Sequence, residues 1–209
     1  MVKVKICGIT NLEDAQLAVD LGADALGFNF CKKSPRYIEP SKAKLIIEEL
    51  PPLVSTIGVF ADEFSPERIS SIAHAVGLNA VQLHGSESPE YVKKVDELRV
   101  IKTFRVDPEF DLALLSAYSA GAYLLDTFDP ELMGGTGKVF NWEIAVAAKA
   151  YGRIILAGGL KHENIVEAIR QVYPYAVDIC SGVESEPGKK DPERMTALFH
   201  QIHQFRFDA

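Results

Sequence analysis

Short apolar-rich runs recur about every 20 to 30 residues along this chain, at the length and alternation expected of β-strands. Eight such runs stand out: Lys3–Cys7, Ala25–Phe30, Val54–Phe60, Ala80–His84, Val100–Arg105, Ala122–Asp126, Arg153–Ala157 and Ala176–Ser181. Between them the apolar positions return every three or four residues, the period of a helix. Several intervals carry start signals. Ser65-Pro66-Glu67, Ser88-Pro89-Glu90 and Asp191-Pro192-Glu193 each set a capping side chain before a proline at the first helical position. Thr10 and Glu13 have the T-x-x-E spacing of a capping box. Gly22, Gly77, Gly121 and Gly152 fall at or near helix ends, where a left-handed residue is expected. Eight strands alternating with eight helices predict a parallel sheet. The repeat count and length favour a closed (β/α)8 TIM barrel of near-minimal size, one domain over residues 1–209. A doubly wound open sheet is the alternative. No linker, low-complexity tract or composition break divides the chain.

Composition narrows the class. With 209 residues, 47% hydrophobic and 24% charged, the chain can bury roughly 70% of its unfolded surface and needs neither metal nor disulfide to fold. Cys7, Cys31 and Cys180 are odd in number, far apart and free of zinc spacing, which predicts a reduced, cytoplasmic protein without a metal site. No apolar run approaches the ~18 residues of a membrane span, and Met1–Lys5 leads straight into a strand rather than a signal peptide. The net charge of -7 without a basic stripe argues against nucleic acid. An anionic ligand would be held by local groups against the overall field.

In a barrel, ligand chemistry gathers at the C-terminal ends of the strands. Those ends read, in order, Cys7-Gly8, Asn29-Phe30, Val59-Phe60, His84-Gly85, Phe104-Arg105, Asp126-Thr127, Gly158-Gly159 and Ser181-Gly182. A free cysteine is usually a buried small hydrophobe, but at this address the Cys7 thiol is also a candidate base or nucleophile. Glycine turns after strands seven and eight let backbone N–H groups approach a phosphate, and a helix over Lys161–Gln171 would add its dipole; turn-making alone is the bland alternative. Gly134-Gly135-Thr136-Gly137-Lys138 is not a P-loop, because Leu132 and Val139 stand where Gly and Ser/Thr are needed. It reads instead as a loop, Glu131–Lys138, that either closes over a ligand or simply connects. Asp126 follows three apolar strand residues and is expected to hold its proton unusually well, unless it serves as a cap or loop ion pair. Arg36, in the loop after strand two, suits a carboxylate or a solvated basic surface. Gln82 and His84 end strand four, where a lone histidine is more often a satisfied structural group than a catalyst. Asp178 and Cys180 alternate onto one face of strand eight. Trp142, Phe199, Phe205 and Phe207 read as core or rim.

Taken together, the ordered segments Lys5-Ile6-Cys7-Gly8-Ile9-Thr10, Ser34-Pro35-Arg36, Gln82-Leu83-His84-Gly85, Leu125-Asp126, Gly134-Gly135-Thr136-Gly137, Ala157-Gly158-Gly159-Leu160 and Val177-Asp178 with Ser181-Gly182-Val183-Glu184 resemble the phosphoribosylanthranilate isomerases along the whole chain. The resemblance implies a cofactor-free Amadori rearrangement in tryptophan biosynthesis, acting on a small phosphorylated substrate; charge and hydropathy predict no nucleic-acid or membrane partner, and leave a monomer or a homodimer open. It makes Cys7 the general base and Asp126 the general acid. Arg36 would bind the anthranilate carboxylate, with Gln82, His84 and Asp178 near the substrate. Gly158, Gly159, Ser181 and Gly182 would hold the phosphate.

That chemistry makes demands opposite to the defaults. A free thiol has a pKa of about 8.5 and a free aspartate about 3.9, so the thiol must fall and the carboxyl must rise to work together near neutrality. Lys5, on the same strand face as Cys7, is one cation able to help. Asn141, Lys161-His162 and Cys180 depart from the family pattern, and none falls on the acid–base pair itself. Another phosphosugar-processing barrel, or a non-catalytic barrel that binds a phosphorylated metabolite, are the competing readings.

Overall fold

Each expected strand forms within two residues of its expected bounds, and the sheet closes. The structure, a computed structural model, describes residues 1–95, 97–127 and 140–208; the expected loop Glu131–Lys138 lies outside them. The strands are β1 (Lys3–Cys7), β2 (Ala25–Asn29), β3 (Ser55–Phe60), β4 (Ala80–Leu83), β5 (Arg99–Val106), β6 (Ala122–Thr127), β7 (Ile154–Leu156) and β8 (Ala176–Ile179). They pair in parallel in sequence order, and β8 returns to β1 with Lys5 opposite Asp178 and Ile6 opposite Ile179. Closure excludes the open doubly wound sheet.

Alternation along each strand sorts the side chains. Val4, Ile6, Leu26, Phe28, Val81 and Leu83 point outward into the layer shared with the helices and are fully buried there. Lys5, Cys7, Gln82, Asp126 and Asp178 take the opposite, inward phase. A smaller apolar cluster that includes Ile57, Ile101, Leu124 and Ile155 fills the lower barrel. A cavity of about 1140 Å³ opens at the N-terminal end of the barrel, where Ala25, Ala80, Ala122 and Ala176 leave the lowest layer thinly filled. It is at the opposite end from the chemistry described below.

The surrounding α-helices are α1 (Leu12–Asp20), α2 (Pro40–Glu48), α3 (Pro66–Val76), α4 (Pro89–Lys93), α5 (Trp142–Ala148), α6 (Ile165–Val172) and α7 (Pro192–Asp208). The expected helix between β5 and β6 is instead a 3-10 helix, Leu112–Ala117, capped by Asp111. Its six residues span ~12 Å at the 3-10 rise, where an α-helix would span ~9 Å, so a short segment covers the strand pair. Ser65, Ser88 and Asp191 cap their helices as expected. The cap of α1 is Asn11, one residue later than expected, because the Thr10 hydroxyl is spent on the Gly188 carbonyl. Gly22 and Gly77 are left-handed at helix ends, whereas Gly121 simply enters β6, donating its N–H to Val100 O. Trp142 and Phe199 are core residues, and Phe205 packs against the core. No described helix is long and apolar enough to cross a membrane.

Candidate active site

The C-terminal mouth of the barrel brings the inward residues of β1, β4, β6 and β8 into one polar cluster. Beneath it, Lys5 and Asp178 form an almost fully buried ion pair across the β1–β8 seam, Nζ to Oδ1 2.8 Å. Burial works against the charge on Lys5, but Asp178 and the Cys7 thiolate more than offset it and hold the ammonium above its ordinary pKa. Lys5 is therefore a fixed cation one step below Cys7, a firmer role than its sequence position had suggested.

Cys7 ends β1 and is buried. A hydrogen bond from the Cys180 thiol and the Lys5 charge outweigh burial and the Asp178 charge, and bring the Cys7 pKa down to about 7. Asp126, near the end of β6, moves the other way. Burial and the Asp178 charge raise its pKa to about 6, against the opposing Thr127 N–H bond and the charges of Arg105 and Lys5.

His84 stands beside Asp126, Nε2 to Oδ2 3.6 Å. Burial and the charges of Arg105, Lys5 and Lys102 push its pKa well down, so the imidazole is neutral. The Gln82 amide donates to Nδ1 at 2.9 Å, which leaves the ring proton on Nε2, facing the carboxyl. Gln82 is itself buried, so it supports His84 rather than lining the open mouth. Behind them Lys102 and Glu87 pair at 2.8 Å outside the barrel wall; Lys102 also binds Gly85 O and Glu87 accepts from Gly85 N, which pins the loop after His84.

Across the mouth, Arg36 is committed in part. Its Nε and Nη2 grip Glu184 at 2.7 to 3.1 Å, so the side-on edge of the guanidinium is occupied. The end-on edge, Nη1 with the second Nη2 hydrogen, is the part left to a ligand. Glu184 begins a hairpin that sequence reading missed, β9 (Glu184–Glu186) with β10 (Lys189–Lys190). The buried Lys190 ammonium bonds Glu184 Oε1 (3.0 Å), Cys7 O (2.5 Å) and Cys180 O (3.4 Å), tying the ends of β1 and β8 together. Pro187-Gly188 between two short polar runs was the available signal for this turn.

The two glycine turns meet. Gly158 (φ +81) and Gly159 (φ +63) are both left-handed, and a Cβ at Gly158 would fall 2.2 Å from Thr127 Oγ1. A Cβ at Gly182 would fall 1.9 Å from Leu160 O, so the Ser181-Gly182 turn lies directly against the first. Gly158, Gly159, Ser181 and Gly182 are partly exposed there, and backbone of this kind suits an anion. α6 starts at Ile165 rather than Lys161, because Asn164 bridges the turn by donating to Gly159 O and accepting from Lys161 N. The helix end is thus farther from Gly159 than expected. Asn141 caps α5 through Glu143 N, as an aspartate would, so that departure is conservative. Among the described residues, no group of three or more His, Cys, Asp or Glu side chains could hold a metal ion.

The family model described as N-(5'phosphoribosyl)anthranilate (PRA) isomerase matches residues 4–201. The N-(5'-phosphoribosyl)anthranilate isomerase of Pelobacter propionicus is 56% identical over 209 residues, covering 100% of this chain and 99% of its own length. The crystal structure of phosphoribosyl anthranilate isomerase from Thermus thermophilus superposes with a TM-score of 0.91 at 41% identity, over 98% of this chain and 100% of that one. A phosphoribosyl anthranilate isomerase in complex with reduced 1-(o-carboxyphenylamino)-1-deoxyribulose 5-phosphate superposes at 0.85 with 43% identity, over 98% and 100%. With a family match along nearly its whole length and relatives this similar from end to end, the chain belongs to the N-(5'-phosphoribosyl)anthranilate isomerase family.

Proposed function

We propose that this chain converts N-(5-phosphoribosyl)anthranilate into 1-(2-carboxyphenylamino)-1-deoxyribulose 5-phosphate, the isomerisation of tryptophan biosynthesis, with Cys7 as general base and Asp126 as general acid. The observation that carries the assignment of roles is the opposed shift of the two ionisations, a thiol brought down to about 7 and a carboxyl brought up to about 6. An acid that keeps its proton and a base that has lost its own, close together in pH, are what a proton-transfer isomerase requires.

The steps follow from the substrate. Asp126 gives its proton to the furanose ring oxygen as the anthranilate nitrogen pushes its lone pair toward C1. The C1–O bond breaks and a protonated Schiff base forms. That iminium acidifies C2–H. Cys7 takes the C2 proton, and the electron pair moves to give an enolamine, which tautomerises to the ketone with a proton delivered to C1. The substrate's own nitrogen is the electron sink. Arg36 offers its end-on edge to the anthranilate carboxylate, and Glu184 holds the guanidinium in place. The Gly158-Gly159 and Ser181-Gly182 turns receive the phosphate. His84 and Asp178 flank the sugar between these two anchors. The solved relative that holds a reduced product supports a ligand of this size and charge in the same barrel.

The test is direct. Adding the chain to the aminoaldose should abolish its anthranilate fluorescence, with a product of unchanged mass and a new chromatographic position. Saturable binding with no conversion would overturn the reading and leave a phosphometabolite-binding barrel.

A further inference from the structure

We propose that the buried Lys190 is a positioning residue for both ends of the site: its ammonium fixes the peptide that carries Cys7, and by sharing Glu184 it keeps the positive charge of Arg36 available to a ligand carboxylate. The proposal rests on Cys7 as general base and Arg36 as carboxylate anchor.

The β1–β8 ladder ends just below the mouth. Ile6 opposite Ile179 is its last pair, and Cys7 and Cys180 follow directly on the two strands. Past that point the Lys190 ammonium joins the strand ends. It donates to Cys7 O at 2.5 Å, to Glu184 Oε1 at 3.0 Å and to Cys180 O at 3.4 Å. An ammonium has three protons, and these acceptors use all of them. The side chain is fully buried, so it acts through its partners and not on a substrate directly. Its seat is firm. Lys190 N donates to Asp14 Oδ2 of α1 at 2.8 Å, and Arg194 of α7 donates to Glu184 O.

The Cys7 contact bears on the base. The peptide between Cys7 and Gly8 is held on both edges, its N–H by Gly27 O at 3.0 Å and its carbonyl by Lys190. Gly8 is left-handed at φ +78, so the chain leaves the strand direction at once. With its carbonyl released, that peptide can pivot on the one remaining bond, and the Cys7 side chain moves with it. A displacement of about 1 Å at a reacting group can cost ~10²-fold in rate.

The Glu184 contact bears on Arg36. The carboxylate lies between two cations, Arg36 and Lys190. Two positive charges on one negative leave a net positive charge beside the end-on edge of Arg36. Without Lys190 the remaining pair sums to zero, and an incoming carboxylate meets a neutralised guanidinium. Burial keeps solvent ions from screening this difference away.

The test compares whole-chain wild type with Lys190→Met. Two values are read: kcat from the loss of anthranilate fluorescence, and, by calorimetry, the ratio of affinities for the reduced product analogue and its counterpart lacking the carboxylate. Phosphate contacts are common to the two ligands and cancel in the ratio. Lys190→Met should lower kcat by about 10- to 10²-fold and the ratio by about tenfold. If the methionine variant does not fold, Lys190→Gln gives the reading, its amide one atom short of the ammonium. A lysine that served the fold alone would lower the unfolding temperature and leave both values as in wild type. Either value within about twofold of wild type in a folded variant overturns the proposal. Turnover that survives Cys7→Ala, or an unchanged ratio in Arg36→Ala, overturns the underlying roles. If both of those variants fail as expected and the Lys190 variants match wild type, only the Lys190 role fails.

Discussion

The pH dependence of kcat/KM follows from the two shifted groups and can be worked in numbers. Activity needs Cys7 as thiolate and Asp126 as carboxylic acid at once. With apparent values of about 7 and about 6, the doubly competent form peaks near pH 6.5 at about 6% of the enzyme. At the ordinary values of about 8.5 and about 3.9 the same form would be only about 25 parts in a million, spread over a plateau several pH units wide. The site therefore enriches the competent form by about 2000-fold. The expected profile is a narrow bell centred near pH 6.5, falling tenfold per unit on both sides. Because the substrate phosphate also ionises near pH 6, the thiol limb is to be checked by iodoacetamide alkylation of Cys7, which involves no phosphate. A flat kcat/KM between pH 5 and 8.5, or an alkylation midpoint near 9, would refute the reasoning.

Three further outcomes follow. Asp126 binds a proton more tightly folded than unfolded, so between pH 4 and 6 the native state holds more protons and stability falls as pH rises; Asp126→Asn should remove this cost and raise stability at pH 7 by about 1–3 kcal/mol in urea titrations, while no gain would argue against the raised carboxyl. Arg36→Ala should weaken binding of a reduced product analogue by about 1.5–3 kcal/mol, seen by calorimetry, while leaving inorganic phosphate binding alone; equal affinity for the analogue would count against the carboxylate contact. Gly158→Ala forces a side chain into a left-handed turn against Thr127, so thermal unfolding should show a loss of about 1–3 kcal/mol and phosphate affinity should drop; a neutral variant would mean the turn has other room.

The barrel was legible because its signals are local. Each β-run is bounded by glycine, proline or a capping side chain, and β1 to β8 fall almost where alternation placed them. Cys7 and Asp126 were legible by address, as polar residues ending apolar strands. What escaped depends on contacts far apart in sequence. Lys5 meets Asp178 across the closure seam, a pair not visible until β8 pairs with β1. Glu184 takes the side-on fork of Arg36, a partner that composition cannot announce. The cap of α1 slipped to Asn11, and α6 began late at Ile165, because Thr10 and Asn164 spend their side chains on other loops. Local propensity loses to such bonds when the tertiary partner is better placed.

The central claim is that Cys7 and Asp126 exchange protons with the substrate. It is tested most directly by following the loss of anthranilate fluorescence at saturating aminoaldose, near pH 6.5, in wild type, Cys7→Ala and Asp126→Asn. Both variants should remain folded, bind the reduced product analogue, and turn over at least about 10²-fold more slowly. Turnover within tenfold of wild type in either folded variant contradicts the account.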